Sequence, residues 1–393
     1  MAARKKRLEK EKNRERKPYN FADNHNIVGV DVKRILVTGA GGIGGVNFIR
    51  ALRLAEKQTG TKMFIAGTEF NQYYAVFPDV DVISKLPRHD DPLYIESLLA
   101  LLRAQHIEFL HPHPSSEAGV VAENRTKITE CGVKLFLPAR ESIAPDKTRM
   151  VELLKLAGVG TPETVRIFDE NDVAAAFKQM NSPLWMRAMV GVGGRLSLKV
   201  ATVDEALAWL KLNLLQGRVK RGEFIIQEML PGRDLAFDSL WFEGHLITSY
   251  ARERLEYPFK HISLSGITGT PAVSRTVHDA RVNEVGIGAV RALEAKPHGF
   301  YSVDLKEDAV GAPKVTEVDG KWHTTAPLWG YSLAKVLGQP QYNLAYNYVV
   351  LGFSGKLEWT LPKTDLFPPN YFLIRQMDSG VVLQKGDRKW RLL

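Results

Sequence analysis

The fold of this chain is limited most by a unit near its N-terminal end, where an apolar strand runs directly into a glycine-rich loop. The strand reads RILVTG (residues 34–39), the loop continues the sequence as GAGGIGG, and helical periodicity follows over residues 46–58. A buried strand, a tight glycine turn and an amphipathic helix in succession are typical of an α/β domain with a parallel sheet. Strand and helix keep alternating to about Pro138, which predicts a Rossmann-like domain over residues 18–140.

The glycine loop allows two interpretations. Gly39, Gly41 and Gly44 match the pattern GxGxxG, in which backbone N–H groups approach a pyrophosphate. An NAD(P) site usually has an acidic residue about 20 positions further on. Glu69 lies 30 residues beyond Gly39, which is later than this spacing. An NAD(P)-dependent oxidoreductase that uses the GAGGIGG loop is therefore one alternative, and a tight turn without any cofactor is the other.

The pattern changes near Ser142. Residues 183–200 and 224–256 alternate between polar and apolar side chains and turn through glycines, as antiparallel strands do. We therefore predict a second domain over residues 141–337 with antiparallel sheets. The remaining stretch, residues 338–393, is rich in proline and aromatic residues and is predicted to pack on the second domain as a C-terminal extension that ends in a hairpin.

The positive charge of the chain is concentrated at its start. Residues 1–17 carry a net charge of +6 out of +9 and almost no apolar side chains, which predicts a basic disordered tail rather than a nucleic-acid surface. No stretch approaches the roughly 18 apolar residues of a membrane span. The absence of an apolar targeting segment and the single cysteine, Cys131, lead us to expect a cytoplasmic protein without membrane or nucleic-acid partners.

Three carboxylates form the strongest constellation in the sequence. Glu317 and Asp319 lie on one face of a predicted strand because side chains alternate along a strand, and Asp304 comes from the neighbouring strand of the same hairpin. Carboxylates that converge in this way repel one another unless a cation lies between them, and hard oxygen ligands suit Mg²⁺. The residues therefore predict a magnesium site, with three exposed carboxylates on a hairpin as the alternative.

Two further segments could bind a nucleotide. RAMVGVGGR (residues 187–195) places Arg187 before a flexible glycine loop, a combination that can hold phosphates. IIQEMLPGRDL (residues 225–235) ends an apolar strand with Gln227 and reaches Asp234 seven residues later, where an adenine ring and a ribose could be read. Taken alone, the first segment could equally be a β-turn and the second a strand followed by a Pro-Gly turn.

The order of these segments over residues 34–330 resembles the ATP-grasp superfamily, most closely the branch of the carbamoyl-phosphate synthase large subunit. The resemblance implies an α/β plus α+β architecture, with a Rossmann-like pre-ATP-grasp domain followed by a two-lobed ATP-grasp domain. It also implies an ATP- and Mg²⁺-dependent ligase that activates a small-molecule carboxylate as an acyl phosphate and transfers it to an amine, with a homodimer as one assembly. A carbamate- or carboxyphosphate-forming enzyme of the same class remains an alternative.

The resemblance also implies roles for single residues. The nucleotide would be held by Lys147, Arg187, Gly193, Gly194, Gln227, Met229, Leu230 and Asp234, the magnesium by Asp304, Glu317 and Asp319, and the reacting groups by Arg254 and Lys321. Three positions depart from the family pattern: Gln227 replaces a common Glu, Asp319 a usual Asn, and Lys321 a usual Arg or small residue. In this family the glycine loop of the first domain often binds no dinucleotide.

Overall fold

The computed structural model describes residues 32–189 and 196–376, together with the backbone of residues 382–385 and 388–391. The tail predicted over residues 1–17 lies outside these ranges. Within them the chain forms one parallel sheet, two antiparallel sheets and a C-terminal hairpin.

The N-terminal part is a parallel sheet covered by helices. Its elements are β1 (Val32–Thr38), α1 (Ile43–Thr59), β2 (Lys62–Thr68), β3 (Val82–Ser84), α2 (Tyr94–Ala104), β4 (Phe109–Pro112), α3 (Ser115–Glu123), α4 (Arg125–Thr129) and β5 (Lys134–Leu135). The strand order is β3-β2-β1-β4-β5. Along β1, Ile35 and Val37 pack on the side of α1 and Leu36 packs on the side of α2, so the strand is buried on both faces. The predicted Rossmann-like layer is confirmed.

A small antiparallel sheet follows. Its segment contains α5 (Lys147–Leu156), β6 (Thr164–Ile167), α6 (Glu170–Gln179), β7 (Leu184–Ala188), β8 (Leu198–Val200), α7 (Val203–Leu215) and β9 (Phe224–Glu228). The strand order is β6-β9-β7-β8. Leu184, Met186 and Ile226 pack under α6 and α7. Because side chains alternate along a strand, Trp185 and Gln227 lie on the opposite face of this sheet.

The largest sheet of the chain is antiparallel and lies in its second half. It is built from β10 (Asp234–Phe242), β11 (His245–Glu256), β12 (Val273–Val277), β13 (Gly299–Glu307) and β14 (Pro313–Asp319), with α8 (Ala280–Leu293) between β12 and β13. Phe237, Val303 and Val315 pack against α5 and α8 on one face. The alternation therefore puts Asp234 and Asp238 of β10, Arg252 and Arg254 of β11, and Asp304 of β13 on the other face.

The C-terminal segment joins both parts. It contains α9 (Ala326–Leu337), α10 (Leu344–Ser354), β15 (Phe372–Ile374) and a hairpin of β16 (Val382–Lys385) and β17 (Arg388–Arg391). Helices α9 and α10 pack against α1, whereas β15 pairs with β12 at the edge of the large sheet. The extension predicted over residues 338–393 thus contacts elements of the first domain as well as the second. The domain boundaries stay predictions. None of the helices in the described ranges is long and apolar enough to cross a membrane.

Candidate active site

A cleft of about 540 Å³ lies between the small and the large antiparallel sheets. One wall comes from β7 and β9 and includes Trp185, Arg187 and Gln227. The other wall comes from β10, β11, β13 and β14 and is strongly charged, with Arg254 and Asp304 among its residues. The two sheets therefore bring most of the predicted site residues into one cavity.

At one place in the cleft two cations face one carboxylate. Lys147 Nζ lies 3.6 Å from Glu317 Oε2, and Arg187 Nη2 lies 3.8 Å from the same atom. Burial lowers the pKa of Lys147, an effect that Glu317 opposes, and burial also lowers the pKa of Arg187. Lys147 opens α5, and the Asp146 carboxylate caps this helix by accepting hydrogen bonds from two backbone N–H groups. Gly193 and Gly194 lie outside the described residues.

The segment predicted to read adenine and ribose also lines the cleft. Gln227, Met229, Leu230 and Asp234 all contribute to the wall. Gln227 is buried, and its amide nitrogen donates to the Thr164 hydroxyl oxygen at 2.9 Å. Asp234 accepts a hydrogen bond of 2.9 Å from the Tyr257 hydroxyl. Asp234, the residue predicted to bind the ribose, therefore already accepts a hydrogen bond from within the protein.

The three carboxylates predicted to bind magnesium do not form a cluster. No group of three or more Asp, Glu, His or Cys side chains in the described ranges is arranged to hold a metal ion. Glu317 faces Lys147 and Arg187, and Asp304 faces Arg254 and His323. Asp304 and Glu317 stand opposite each other on paired strands, but lysine, arginine and histidine side chains already neutralise them, so their repulsion does not by itself require a metal ion. Their assignment as magnesium ligands stays a prediction.

Asp319 is the most enclosed of the three carboxylates. Its Oδ2 lies 2.6 Å from Lys321 Nζ, and its Oδ1 accepts a hydrogen bond of 2.9 Å from the backbone N–H of Ala144. Burial raises the pKa of Asp319, although Lys321 acts in the opposite direction. Lys321, predicted to be catalytic, therefore serves first as the partner of Asp319.

Arg254 lies at the centre of the charged wall. Its guanidinium pairs with Asp304 and lies 3.4 Å from both Asp234 Oδ1 and His323 Nε2. Burial would raise the pKa of Asp304, but Arg254 and His323 hold it well below its ordinary value. Arg252 on the same strand is completely buried and pairs with Asp238. Both arginine side chains are therefore largely buried.

Sequence reasoning missed Asp238 and His323. His323 Nδ1 lies 2.7 Å from Asp238 Oδ1, and its Nε2 lies 2.9 Å from Asp304 Oδ1. Burial lowers the pKa of His323 to about 4, although the Asp304 carboxylate opposes this effect. Ser302 Oγ donates a further bond of 2.7 Å to Asp238. The one signal in the sequence was an acidic residue inside the otherwise apolar run LAFDSLWF.

A carboxylate of the same domain accepts hydrogen bonds from backbone N–H groups in and near the glycine loop. The backbone N–H of Gly41 donates to Glu69 Oε2 at 3.0 Å, and the N–H of Asn71 donates to Glu69 Oε1 at 3.1 Å. Glu69 is only 6% exposed. A side chain on Gly41 would collide with the backbone carbonyl of Tyr74, and one on Gly44 would collide with His113. These glycines therefore allow close packing, and a carboxylate occupies the place of a bound anion.

Comparison with known proteins gives the same architecture. The chain is 22% identical to the carbamoyl phosphate synthase large chain of Caldanaerobacter subterraneus subsp. tengcongensis over 388 residues, which cover 92% of this chain and 34% of the relative. The chain thus spans about a third of the length of the curated relative that it matches. No family model matches the chain.

Solved structures with a similar fold include two ATP-grasp enzymes. The biotin carboxylase domain of 2-oxoglutarate carboxylase from Hydrogenobacter thermophilus, a complex with MgADP, ADP and bicarbonate, has a TM-score of 0.62 and 16% identity; the match covers 86% of this chain and 73% of that one. An L-amino acid ligase from Bacillus licheniformis has a TM-score of 0.58 and 14% identity, covering 82% and 74%. These likenesses confirm the predicted ATP-grasp fold.

Proposed function

We propose that the chain is an ATP-dependent ligase that activates a carboxylate as an acyl phosphate and passes it to an amine. The observation that carries the proposal is the cleft itself, in which both walls supply buried cations: Arg187 from the small sheet and Arg254 from the large one. Phosphoryl transfer needs positioned positive charge around the phosphates more than it needs covalent chemistry from the protein. The names of the similar proteins, a carbamoyl phosphate synthase chain and an amino acid ligase, support this class.

The cleft fits a nucleotide. Arg187 Nε is buried and has no hydrogen-bond partner among the described residues, so a donor is left for a phosphate oxygen. In the proposal Lys147 and Arg187 hold the α- and β-phosphates, and Gly193 and Gly194 cover them. The backbone of Met229 and Leu230 meets the adenine ring. Asp234 accepts from the ribose hydroxyls and shares its carboxylate with Tyr257.

Magnesium fits less completely. Glu317 is the carboxylate most available to it, because its neighbours Lys147 and Arg187 lie 3.6 and 3.8 Å away. Asp304 and Asp319 are held by shorter contacts with Arg254 and Lys321. A magnesium ion that arrives with the nucleotide would neutralise phosphate charge, with Glu317 as its first protein ligand. Asp304 and Asp319 could add to it only by leaving their present partners.

The charged wall would then carry the chemistry. The substrate carboxylate attacks the γ-phosphorus, ADP leaves, and the amine displaces phosphate from the acyl carbon. Arg254 contacts the phosphoryl group in transfer, because its guanidinium is the buried cation held over the cleft by Asp304 and Asp234. Lys321, anchored on Asp319, places a second positive charge on this wall.

Two other enzyme classes are alternatives to the carboxylate–amine ligase. Bicarbonate could take the place of the carboxylate, as in the similar biotin carboxylase domain whose structure contains it, and carboxyphosphate would then form. The nicotinamide oxidoreductase is disfavoured because the Gly41 N–H of the glycine loop, which would bind a pyrophosphate, already donates a hydrogen bond to Glu69.

The cytoplasmic location and the homodimer stay predictions.

The test is a screen for ADP release from Mg-ATP with pooled carboxylates, amino acids and bicarbonate, followed by mass spectrometry of the product. We expect ADP release that depends on an added carboxylate and a product that contains a new carbon–nitrogen bond. Arg88→Gln, a variant of an exposed arginine with a 60% exposed side chain, is the matched control for charge loss. Release that depends on bicarbonate alone would support the carboxyphosphate alternative. Oxidation of NADH without any use of ATP would contradict the ligase proposal.

A further inference from the structure

Three side chains form a cross-strand row on the cleft face of the small sheet. Gln227 of β9 is paired with Thr164 of β6 on one side and with Trp185 of β7 on the other. Gln227 and Trp185 line the cleft, whereas Thr164 lies behind the Gln227 amide. The row therefore presents an aromatic ring and a buried amide to anything that binds along this wall.

The hydrogen bonds behind the row have a fixed direction. The carbonyl oxygen of Pro162 can only accept, and the Thr164 hydroxyl donates to it at 2.9 Å. A hydroxyl has one hydrogen, so Thr164 Oγ1 can only accept from its other neighbour. That neighbour is Gln227 Nε2 at 2.9 Å. The amide nitrogen must therefore point to Thr164, and the amide oxygen points away from it.

The oxygen is the end of the amide that remains for a ligand. Gln227 Oε1 has no hydrogen-bond donor among the described residues, and Gln227 is only 4% exposed. A bound base would cut this oxygen off from the water of the cleft, and an acceptor buried without a donor costs free energy, so a ligand that offers an N–H group here is favoured over one that offers a second acceptor.

We propose that Thr164 fixes Gln227 as a hydrogen-bond acceptor and thereby makes the cleft select a purine with an exocyclic 6-amino group over a 6-oxopurine. The inference rests on the proposed function, because it requires the base of the nucleotide to lie against β9. It assigns to Thr164 the role of a positioning residue, which acts only through the orientation of the Gln227 amide.

The probes are ADP and inosine diphosphate, which differ at position 6 of the purine and in the hydrogen on N1. Equilibrium binding of each to the full chain with Mg²⁺ measures the preference without any turnover. We expect the wild type to prefer ADP by about tenfold or more, since the wrong base leaves buried acceptors facing each other. Part of this preference comes from the backbone of Met229 and Leu230, which the variants below leave intact.

Thr164→Val removes the hydroxyl but keeps the size and branching of the side chain, and it frees the Gln227 amide to turn its nitrogen toward the base. We expect the preference for ADP to fall by about fivefold or more. Thr164→Ser keeps the hydroxyl and should retain the wild-type ratio. In the Thr164→Val background, Gln227→Glu should restore the ratio, because both oxygens of a carboxylate accept. Melting temperatures of all variants show whether each is folded.

The outcomes separate the inference from the function on which it rests. Equal binding of the two nucleotides to the wild type, or an unchanged ratio in Thr164→Val, overturns the inference and leaves nucleotide binding intact. Failure of both nucleotides to bind overturns the inference and the proposed function together. A ratio that falls in Thr164→Val and returns in the double variant supports both.

Discussion

The glycine loop after β1 and the cleft between the antiparallel sheets both contain groups of the kind that can bind phosphate, yet they differ in what those groups already contact. In the loop, the Gly41 N–H donates to the buried Glu69 carboxylate of the same domain. In the cleft, Arg187 Nε is buried and has no partner within the part of the chain that the structure describes, and Glu317 lies 3.6 Å or more from its cations. One region is complete within the protein and the other retains groups that a ligand can satisfy.

The difference shows why a phosphate-binding motif is weak evidence when read alone. GxGxxG specifies a backbone path and leaves open whether a ligand or a side chain from elsewhere in the chain fills it. Buried polar groups are almost always paired, so an unpaired buried donor in a cavity indicates where a ligand binds. On this criterion we expect changes in the cleft to affect nucleotide binding and changes at the loop to affect stability.

The largest effect is expected from Arg187→Gln. The variant removes a buried cation from the wall of the cleft and keeps a polar side chain of similar length. ADP affinity should fall about tenfold or more and turnover about a hundredfold or more, because the charge that holds the phosphates is lost. Titration with Mg-ADP and steady-state rates measure both quantities against Arg88→Gln. Unchanged ADP affinity in a folded variant would contradict the assignment of this wall to phosphate.

A somewhat smaller effect is expected from Glu317→Gln. Turnover should fall about a hundredfold, and more magnesium should be needed for half-maximal rate, since the first protein ligand of the metal is lost. Stability should fall slightly, because Lys147 and Arg187 then face each other without a carboxylate between them. A magnesium titration of the rate, together with the melting temperature, measures these changes. An unaltered magnesium requirement would assign Glu317 to structure alone.

An effect of about tenfold on turnover is expected from His323→Gln. Glutamine has both of its terminal polar atoms on one carbon, whereas the imidazole reaches Asp238 and Asp304 through two separate ring nitrogens, so glutamine should not keep both contacts. Asp304 would lose one of its partners, and Arg254 would be held less firmly. His323 contacts Arg254, which is assigned to the transferred γ-phosphoryl group, and not Lys147 or Arg187, which are assigned to the α- and β-phosphates. ADP affinity should therefore stay within about twofold. An equal loss in ADP affinity and turnover would place His323 in nucleotide binding instead.

Local patterns in the sequence were enough to predict the parallel sheet and the antiparallel sheets, because periodicity along a strand is displayed directly by the sequence. Most candidate site residues, Lys147 among them, came instead from the resemblance to the ATP-grasp superfamily. The burial of Arg252 could not be predicted, because its partner Asp238 comes from another strand and only the fold brings them together. The same holds for His323, whose two carboxylates lie on β10 and β13.

The repulsion expected among the three carboxylates was overestimated for a related reason. The sequence showed three acidic residues on two paired strands and correctly placed them on one wall. It did not show that Lys147, Arg187 and Arg254 come from other elements to pair with Glu317 and Asp304, or that the nearby Lys321 pairs with Asp319. The first three of these cations are distant in sequence from the carboxylates that they neutralise.

The smallest effect on function is expected from Glu69→Gln, which tests the other side of the comparison. Glutamine has the size of glutamate but offers one acceptor instead of two, so either the Gly41 or the Asn71 N–H loses its partner. A buried donor left unpaired costs about 1–3 kcal/mol, and the melting temperature should fall by about 1–4 °C. ADP affinity and turnover of the folded protein should stay within about twofold, because the loop lies outside the cleft lining.

The control for this prediction is NADH, whose addition should stabilise neither the wild type nor the Glu69→Gln variant. If Glu69→Gln instead left the melting temperature unchanged and weakened nucleotide binding as much as Arg187→Gln does, Glu69 would belong to a ligand site, and the loop would have to be regarded as part of the active site.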